Sequence, residues 1–288
     1  WMYHSNFLTL FIPFKFYNKI FWNIRHAELK LHFSKKLTIF LSLICGIFSK
    51  FIPKKVIYCS ERSIKFHEKK HFYDKNKTVL IYNGYNHKKY FPSKELRINF
   101  RKRYKIKKTQ IVLGFAGRFA RQKNIPSLLL AFSKIIKKYN HVYLYMAGKD
   151  MNFQNKELIN YVDKVGAKNK VIFLNEQKNL VEFYNGIDLL TLTSYSESFP
   201  NVVPESMLCS TPVLSSDAGC SKKIIDKYGF IMINNDHQSI FKNLNKIIKK
   251  QIGNKRNWKL LKKNSRLQIV KNFSISNMSK EYLQNWTF

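Results

Sequence analysis

The stretch Ile111-Val-Leu-Gly-Phe-Ala-Gly-Arg118 decides the fold, because an apolar run ends directly at a glycine and a cation. An uninterrupted apolar run of this length is typical of a strand that is covered on both faces. Apolar side chains then recur at helical spacing from Ile125 to Tyr139, and a second apolar run, His141 to Ala147, ends at Gly148. Strand, helix and strand at this spacing predict a βαβ unit with parallel strands.

The same alternation continues as far as Ile233. We predict four further strands and the helices between them: strands at Val171–Leu174, Asp188–Leu192, Pro212–Ser215 and Phe230–Ile233, and helices at Lys156–Val165, Leu180–Tyr184, Asn201–Cys209 and Lys222–Asp226. Six strands alternating with helices predict a doubly wound α/β domain, whose ligand lies outside the carboxyl ends of the strands. The residues of interest therefore follow strands: Gly117-Arg118, Gly148, Asn175 and Ser194 to Phe199.

The first hundred residues show a similar alternation. Strands are predicted at Lys19–Ile24, Val56–Cys59 and Val79–Tyr82, with one or two helices in Leu29–Phe51 and a helix Glu61–Lys69 capped by Ser60. Six of the eight residues in Arg101–Lys108 are Lys or Arg, which indicates either a linker or a solvated helix end. We therefore predict a first domain at 1–106, a second at 107–270, and a C-terminal helix at 271–288 that packs back on the first domain.

The composition of the chain says less about the class of protein than the alternation of strands and helices does. The formal net charge of +35 is compatible with an anionic partner such as nucleic acid, membrane or phosphorylated substrate, or with a coding bias towards Lys, Asn, Ile, Phe and Tyr. The four cysteines have no paired or metal-binding spacing, which favours reduced thiols in a cytoplasmic protein. The apolar run Leu37–Phe48 is shorter than the roughly 20 residues of a spanning helix, so a buried or interfacial helix is expected.

Two cations follow the first strand of the second domain. Arg118 comes directly after it, and Lys123 comes just before the next helix. Two positive charges over a strand end suit a diphosphate, whose negative charge grows when a glycosyl bond breaks. In so basic a chain, two ordinary surface charges would give the same pattern, and both interpretations stay open.

Two carboxylates, Glu197 and Glu205, bracket a segment without other charges. Glu197 is predicted in a loop at a strand end and Glu205 about one turn into the following helix, where Pro204 is tolerated and Asn201 can cap. Carboxylate oxygens accept from the hydroxyl pairs of sugars and ribose, and the helix N-terminus would offer N–H groups to a phosphate. A capped surface helix with two stray acids is the alternative.

The order of these parts resembles the donor-binding domain of family 4 glycosyltransferases, the retaining enzymes of GT-B architecture. The first domain is similar to the acceptor-side domain of bacterial members that build cell-surface polysaccharides. The segments that carry the resemblance are Gly117-Arg118-x4-Lys123, Asp188, Ser194 to Asn201, Glu205-Ser-Met207, Thr211-Pro-Val213 and Asp217-x-Gly219, and in the first domain Trp1 to His4, Trp22 to His26, Tyr58 to Glu61 with His67, Asn83-Gly84 and Tyr90 to Pro92. Ser210 stands where such proteins usually have a glycine with positive φ.

The resemblance implies two Rossmann-like domains and a transferase that moves a sugar from a nucleotide-sugar donor to a glycan or lipid-linked acceptor. Arg118 and Lys123 would hold the donor diphosphate, Glu205 the ribose, and Glu197 and His26 would lie beside the transferred sugar. Gly117 would border the diphosphate, and the segment Phe199, Pro200, Asn201 and Val202 would contact sugar and phosphate through its backbone. No metal and no cofactor are expected. A histidine that merely ends a strand is the alternative for His26.

Such proteins begin with a strand and a glycine-rich loop that this sequence does not supply. We therefore expect a chain truncated at its N-terminus, with an incomplete first sheet that leaves apolar faces open and weak activity. We expect a cytoplasmic protein, peripheral on the inner face of the plasma membrane. A non-catalytic sugar-nucleotide-binding or scaffold protein is the main alternative. A basic nucleic-acid-binding protein is a remote one, because no recognition motif or aromatic platform is visible.

Overall fold

The computed structural model describes residues 2–29, 34–249 and 254–286 of the chain. The strands are β1 Phe21–Ile24, β2 Lys55–Tyr58, β3 Thr78–Leu80, β4 Ile111–Ala116, β5 Val142–Ala147, β6 Val171–Phe173, β7 Leu189–Leu192, β8 Val213–Ser216 and β9 Phe230–Met232. The α-helices are α1 Met2–Leu8, α2 Lys36–Phe48, α3 Glu61–Lys70, α4 Lys94–Arg103, α5 Ile125–Lys138, α6 Lys156–Lys164, α7 Val181–Gly186, α8 Val202–Leu208, α9 Ser221–Ile225, α10 His237–Ile247, α11 Lys255–Asn272 and α12 Ile275–Trp286. Trp1, which belongs to the first segment of the resemblance, lies outside the described residues.

The chain divides into two compact units. Unit 1 consists of Trp1–Gly84, Ser196–Pro200 and Ile275–Phe288, and unit 2 consists of Tyr85–Tyr195 and Asn201–Ser274. The helix α12 is thus part of unit 1, while residues 85–106 fold with unit 2. Each unit carries its own sheet of parallel strands, so the predicted pair of parallel α/β domains is confirmed.

Unit 2 holds a six-stranded sheet in the order β6-β5-β4-β7-β8-β9, with every neighbouring pair parallel. The chain runs outward from β4 to β6 and then returns to β7 on the other side of β4. The order of the strands therefore reverses between β4 and β7, which is where doubly wound sheets bind ligands. The predicted strands and helices of residues 111–233 agree with the structure to within one or two residues.

The basic segment Arg101–Lys108 begins as the last turn of α4, so the helix-end interpretation is the correct one. The helix is held on unit 2 by Arg97, which donates to Asp188 Oδ1 at 2.6 Å, just before β7. Its buried Phe100 packs on Gly186 so closely that a Cβ there would lie 2.1 Å from the ring. These contacts explain why residues 85–106 belong to unit 2.

Unit 1 holds the three-stranded parallel sheet β1-β2-β3. Its core includes the buried Tyr3, Trp22 and Tyr58. Ser60 caps α3 as predicted, because its hydroxyl accepts from the Ser63 N–H at 3.1 Å. The buried His67 lies between the hydroxyl of Tyr3, at 2.7 Å from Nε2, and the carbonyl of Ser63, and burial lowers its pKa to about 3.

Unit 1 also exposes large apolar side chains. Those on α1, α2 and the segments after them are more than half exposed: Leu8, Phe11, Phe14, Leu37, Phe40, Ile47 and Phe51. The sheet leaves β1 at one edge, without a further strand among residues 2–29, 34–249 and 254–286. In that same part of the chain, the structure contains no helix with the length and hydropathy needed to cross a bilayer.

Candidate functional site

The candidate site lies at the carboxyl ends of β4 and β7 in unit 2. Gly117 and Arg118 follow β4, and Thr193 to Tyr195 follow β7. Gly148, at the end of β5, meets Gly117 backbone to backbone, since a Cβ on Gly148 would lie 2.1 Å from the Gly117 carbonyl oxygen. Its φ of +142° also favours glycine. The loops after β4 and β5 therefore pack closely because position 148 lacks a side chain.

The loop after β4 holds its two cations differently. Arg118 is exposed, whereas Lys123 ends a 3-10 turn and is half-buried. The Cε of Lys123 lies 3.5 Å from the position that a Cβ on Gly117 would occupy, so the lysine side chain crosses the glycine. Both cations are thus at the sheet edge where the sequence predicted them, next to the backbone of Gly117, which carries no side chain.

Hydrogen bonds fix this loop against the loop after β7. The Tyr195 N–H donates to the Gln122 carbonyl at 2.8 Å, and the Thr193 hydroxyl donates to the Lys123 carbonyl at 2.9 Å. Asn124 adopts a left-handed conformation with φ of 53° and begins α5. The backbone at Lys123 is therefore held by hydrogen bonds to main-chain carbonyls across the point where the strand order reverses.

Glu205, on α8, is held by two tyrosines. Its Oε1 accepts from the Tyr90 hydroxyl at 3.0 Å, and its Oε2 accepts from the fully buried Tyr184 hydroxyl at 2.8 Å. Burial raises the pKa of Glu205, and the two hydrogen bonds act in the opposite direction. Each carboxylate oxygen has a second lone pair for a hydroxyl of a ligand. Neither tyrosine was assigned a role from the sequence, because each is distant from Glu205 along the chain.

Asn201 occupies the N-cap position of α8, but its side chain does not cap the helix. Its backbone is already helical, with φ of −54°, and its Oδ1 accepts from the hydroxyl of Tyr85. The capping expectation was therefore wrong, because a partner from another part of unit 2 takes the side chain. Val202, the next residue, starts the helix and is half-buried.

The segment Ser196–Pro200, with the half-buried Glu197, belongs to unit 1, whereas Glu205 belongs to unit 2. Within unit 1 the Ser198 hydroxyl lies 3.1 Å from the thiol of Cys59. The ring centroid of the buried Phe199 lies 6.2 Å from that of Tyr82, and Pro200 is buried as well. The two glutamates of the segment are thus held by different surroundings.

His26 follows β1 by two residues, at a strand end as predicted, and its side chain is exposed. Its ring centroid lies 5.7 Å from that of Tyr3, and its carbonyl accepts from the Ser63 hydroxyl. It is part of unit 1, like Glu197. In residues 2–29, 34–249 and 254–286, no three His, Cys, Asp or Glu side chains are grouped so that they could hold a metal ion.

Comparison with known proteins defines the family. The sequence model of the glycosyl transferases group 1 matches residues 97–267, which is more than half of the chain. The chain therefore belongs to the group 1 glycosyl transferases. The match begins within α4 and covers most of unit 2, including Arg118, Lys123 and Glu205.

Individual relatives agree with this assignment. An uncharacterized glycosyltransferase of Methanocaldococcus jannaschii is 30% identical over 52% of this chain and 39% of its own length. A probable sucrose-phosphate synthase of Thermosipho melanesiensis is 25% identical over 91% of this chain and 60% of its own length. Less than two thirds of each relative is thus spanned.

Among solved structures, Anabaena HepE in complex with UDP-glucose superimposes with a TM-score of 0.80 at 20% identity, over 92% of this chain and 71% of HepE. This similarity shows that the chain has the fold of that protein. It agrees with the two parallel sheets described above.

Proposed function

We propose that the chain is a retaining glycosyltransferase of family 4, which moves a sugar from a nucleotide-sugar donor to a glycan or lipid-linked acceptor. The observation that carries the proposal is the arrangement at the strand ends of unit 2. There the loop of Arg118 and Lys123 is bonded to the loop after β7, whose chain leads into α8 and Glu205. Doubly wound sheets bind nucleotides at this edge. Relatives named as glycosyltransferases, and a structure of the same fold with UDP-glucose, support the donor class.

In this proposal the two cations neutralise the donor diphosphate, and no metal or other cofactor takes part. The bond between the anomeric carbon and the β-phosphate oxygen breaks, and negative charge develops on that oxygen. Arg118 and Lys123 stabilise this charge more strongly than the charge of the intact donor, which lowers the barrier. Glu205 accepts from the ribose hydroxyls, while the backbone of Phe199 to Val202 contacts sugar and phosphate.

The acceptor hydroxyl attacks the anomeric carbon from the face that the diphosphate leaves. Its proton passes to the departing phosphate oxygen, so a nucleoside diphosphate is released and the anomeric configuration is retained. No enzyme nucleophile is assigned. Glu197 and His26 are proposed beside the transferred sugar, where a carboxylate and an imidazole bond its hydroxyls.

We also propose that the protein works in the cytoplasm, peripheral on the inner face of the plasma membrane. The exposed apolar residues Leu37, Phe40, Ile47 and Phe51 recur at helical spacing on α2 and just beyond it. Lys35, Lys36 and Lys50 are exposed beside them. An apolar stripe flanked by cations is suited to the interface of an anionic bilayer.

The experiment follows the anomeric proton by NMR while the purified chain is incubated with a panel of α-linked nucleotide sugars. We expect slow release of nucleoside diphosphate together with sugar whose first-formed anomer is α. Glu197→Gln should lower the rate by about 100-fold, because it removes a negative charge beside the transferred sugar, and a single electrostatic contact to the transition state is worth about that much. The matched control Glu176→Gln, at an exposed position of unit 2, should leave the rate unchanged.

A β-anomer as first product would contradict retention. Binding of donor without any release of nucleoside diphosphate would favour the non-catalytic alternative.

A further inference from the structure

A second concave site of unit 2 is formed by α11 with the start of α4 and with Ser210, two residues after α8. Its cavity has a volume of about 620 Å³, within the range of small-molecule sites. Six of the ten residues that line it are cations and none is acidic; the lining is Pro92, Lys94, Ser210, Lys255, Trp258, Lys259, Lys262, Lys263, Arg266 and Leu267.

Most cations of the cavity lie on one helix, α11, where they repel one another. Lys255, Lys259 and Lys263 are spaced four residues apart on α11, and like charges at that spacing destabilise a helix. The sequence of α11 contains no Asp or Glu that could form a compensating pair on the same helix. This face therefore carries an electrostatic cost that a bound anion would remove.

Two of the six cations, Lys262 and Arg266, are half-buried, whereas the other four are exposed. Arg266 donates to the backbone carbonyls of Tyr90, at 3.1 Å, and Leu208, which leaves its charge without a carboxylate partner in the described part of the chain. Lys262 is half-buried, and burial lowers its pKa; the nearby charge of Arg97 acts in the same direction, and that of Asp188, which is paired with Arg97, acts in the opposite direction. A half-buried ammonium whose burial disfavours its charged form gains stability from an approaching anion.

The general basicity of the chain does not account for this arrangement. Scattered surface lysines are screened by water and salt, whereas a concave wall of low dielectric concentrates the field of the charges around it. Here the buried Trp258, stacked on Phe230 with centroids 6.4 Å apart, is part of that wall. The cavity thus combines concentrated positive charge with an ordered apolar surface.

We infer that this cavity is a binding site for a ligand with clustered phosphate groups, carried either by a soluble metabolite or by a lipid headgroup. Phosphates bring several negative charges and many acceptor oxygens, and lysines bind them as point charges. The cavity includes none of the residues proposed to bind the donor, so phosphate binding there can be tested independently of the proposed function.

The test measures binding of inorganic tripolyphosphate by calorimetry at about 150 mM salt, where scattered surface charges contribute little. We expect saturable binding by the wild type, with one tripolyphosphate per chain in the cavity besides any that the proposed donor site binds. The triple variant Lys94→Gln, Lys259→Gln, Lys263→Gln should lose about tenfold or more in affinity. The control triple Lys134→Gln, Lys137→Gln, Lys156→Gln changes the net charge equally at exposed positions of α5 and α6, and should lose less than about threefold.

Two further arms make the outcome specific. Leu267→Glu adds a carboxylate to the cavity wall without removing a lysine, and should also weaken binding. It serves as the test if the triple variant folds poorly. Sedimentation with phosphatidic acid vesicles separates the two sources: binding of vesicles but not of tripolyphosphate, weakened more by the cavity triple variant than by the control triple variant, assigns a lipid headgroup. Equal losses in the two triples, or no saturable binding of either probe, would overturn the inference. Unchanged tripolyphosphate binding at the cavity in a Lys123→Gln variant would show that the measured binding does not come from the proposed donor site.

Discussion

Glu205 accepts one hydrogen bond on each carboxylate oxygen, from Tyr90 and Tyr184. The two hydroxyls fix the plane of the carboxylate. Burial raises the pKa of Glu205, and the hydrogen bonds from the hydroxyls offset part of that rise. A carboxylate must be ionised and correctly oriented to accept from both hydroxyls of a ribose. In the proposed function, therefore, the tyrosines act on the donor through Glu205.

Removing the hydroxyl of Tyr184 tests this positioning role. Tyr184→Phe takes away a bond that lowers the pKa of Glu205, so that pKa should rise further. Donor affinity should consequently fall as the pH is lowered, and the midpoint of that fall should lie at a higher pH in the variant than in the wild type. The measurement is the donor dissociation constant between pH 5 and pH 8.

The loss of a buried bond to a charged group should also lower the free energy of unfolding by about 1–3 kcal/mol. The control is Tyr143→Phe, whose half-buried hydroxyl lies on β5 beside Lys170. An unchanged pH midpoint in Tyr184→Phe would mean that the tyrosine only supports the fold.

Among the helices and strands, the sequence predicts those whose position depends on a local pattern of apolar residues. The strand Ile111–Ala116 and the helix Ile125–Lys138 agree with their predicted bounds because uniform apolar runs and helical periodicity are local signals. Ser210 adopts φ of 57°, as expected for a position where glycine is usual. Local pattern therefore located the strand ends, and with them Arg118 and Lys123.

The remaining features depend on contacts between distant residues. The start of α4 was not predicted because the helix is mostly polar, and its place is set by Phe100 against Gly186 and by Arg97 against Asp188. The side chain of Asn201 was expected to cap α8, but Tyr85 takes it. No spacing rule in a single sequence predicts such pairings. For Glu205 the sequence indicated the residue, and only the structure shows the groups that hold it.

The apolar stripe on α2 leads to a prediction about membrane association. Burying one phenylalanine is worth roughly 1.5–3 kcal/mol when burial is complete, and less at an interface. Phe40→Ser should therefore lower partition onto vesicles that contain anionic lipid by about fivefold to tenfold. Sedimentation of vesicles with the bound protein measures the effect.

Phe153→Ser is the matched control, because Phe153 is similarly exposed but lies in unit 2. Equal partition of the wild type and both variants would contradict a membrane contact through α2.

For the whole molecule, the net charge of +35 bears on every binding experiment. A strongly basic surface attracts any nucleotide sugar without specificity, and salt weakens that attraction. Saturable binding near physiological ionic strength, combined with charge-matched controls, separates a site from this background. The proposals for the donor site and for the α11 cavity both depend on that separation.

The central claim is that Arg118 and Lys123 bind the diphosphate of a nucleotide sugar at the strand ends of unit 2. The most direct test is calorimetric titration of the wild-type chain and the Arg118→Gln, Lys123→Gln double variant with UDP-glucose at about 150 mM salt. The Lys134→Gln, Lys137→Gln control removes the same charge from exposed positions of α5. We predict saturable one-to-one binding that weakens by at least about 30-fold in the double variant and less than about threefold in the control. Equal binding by all three proteins would contradict the claim.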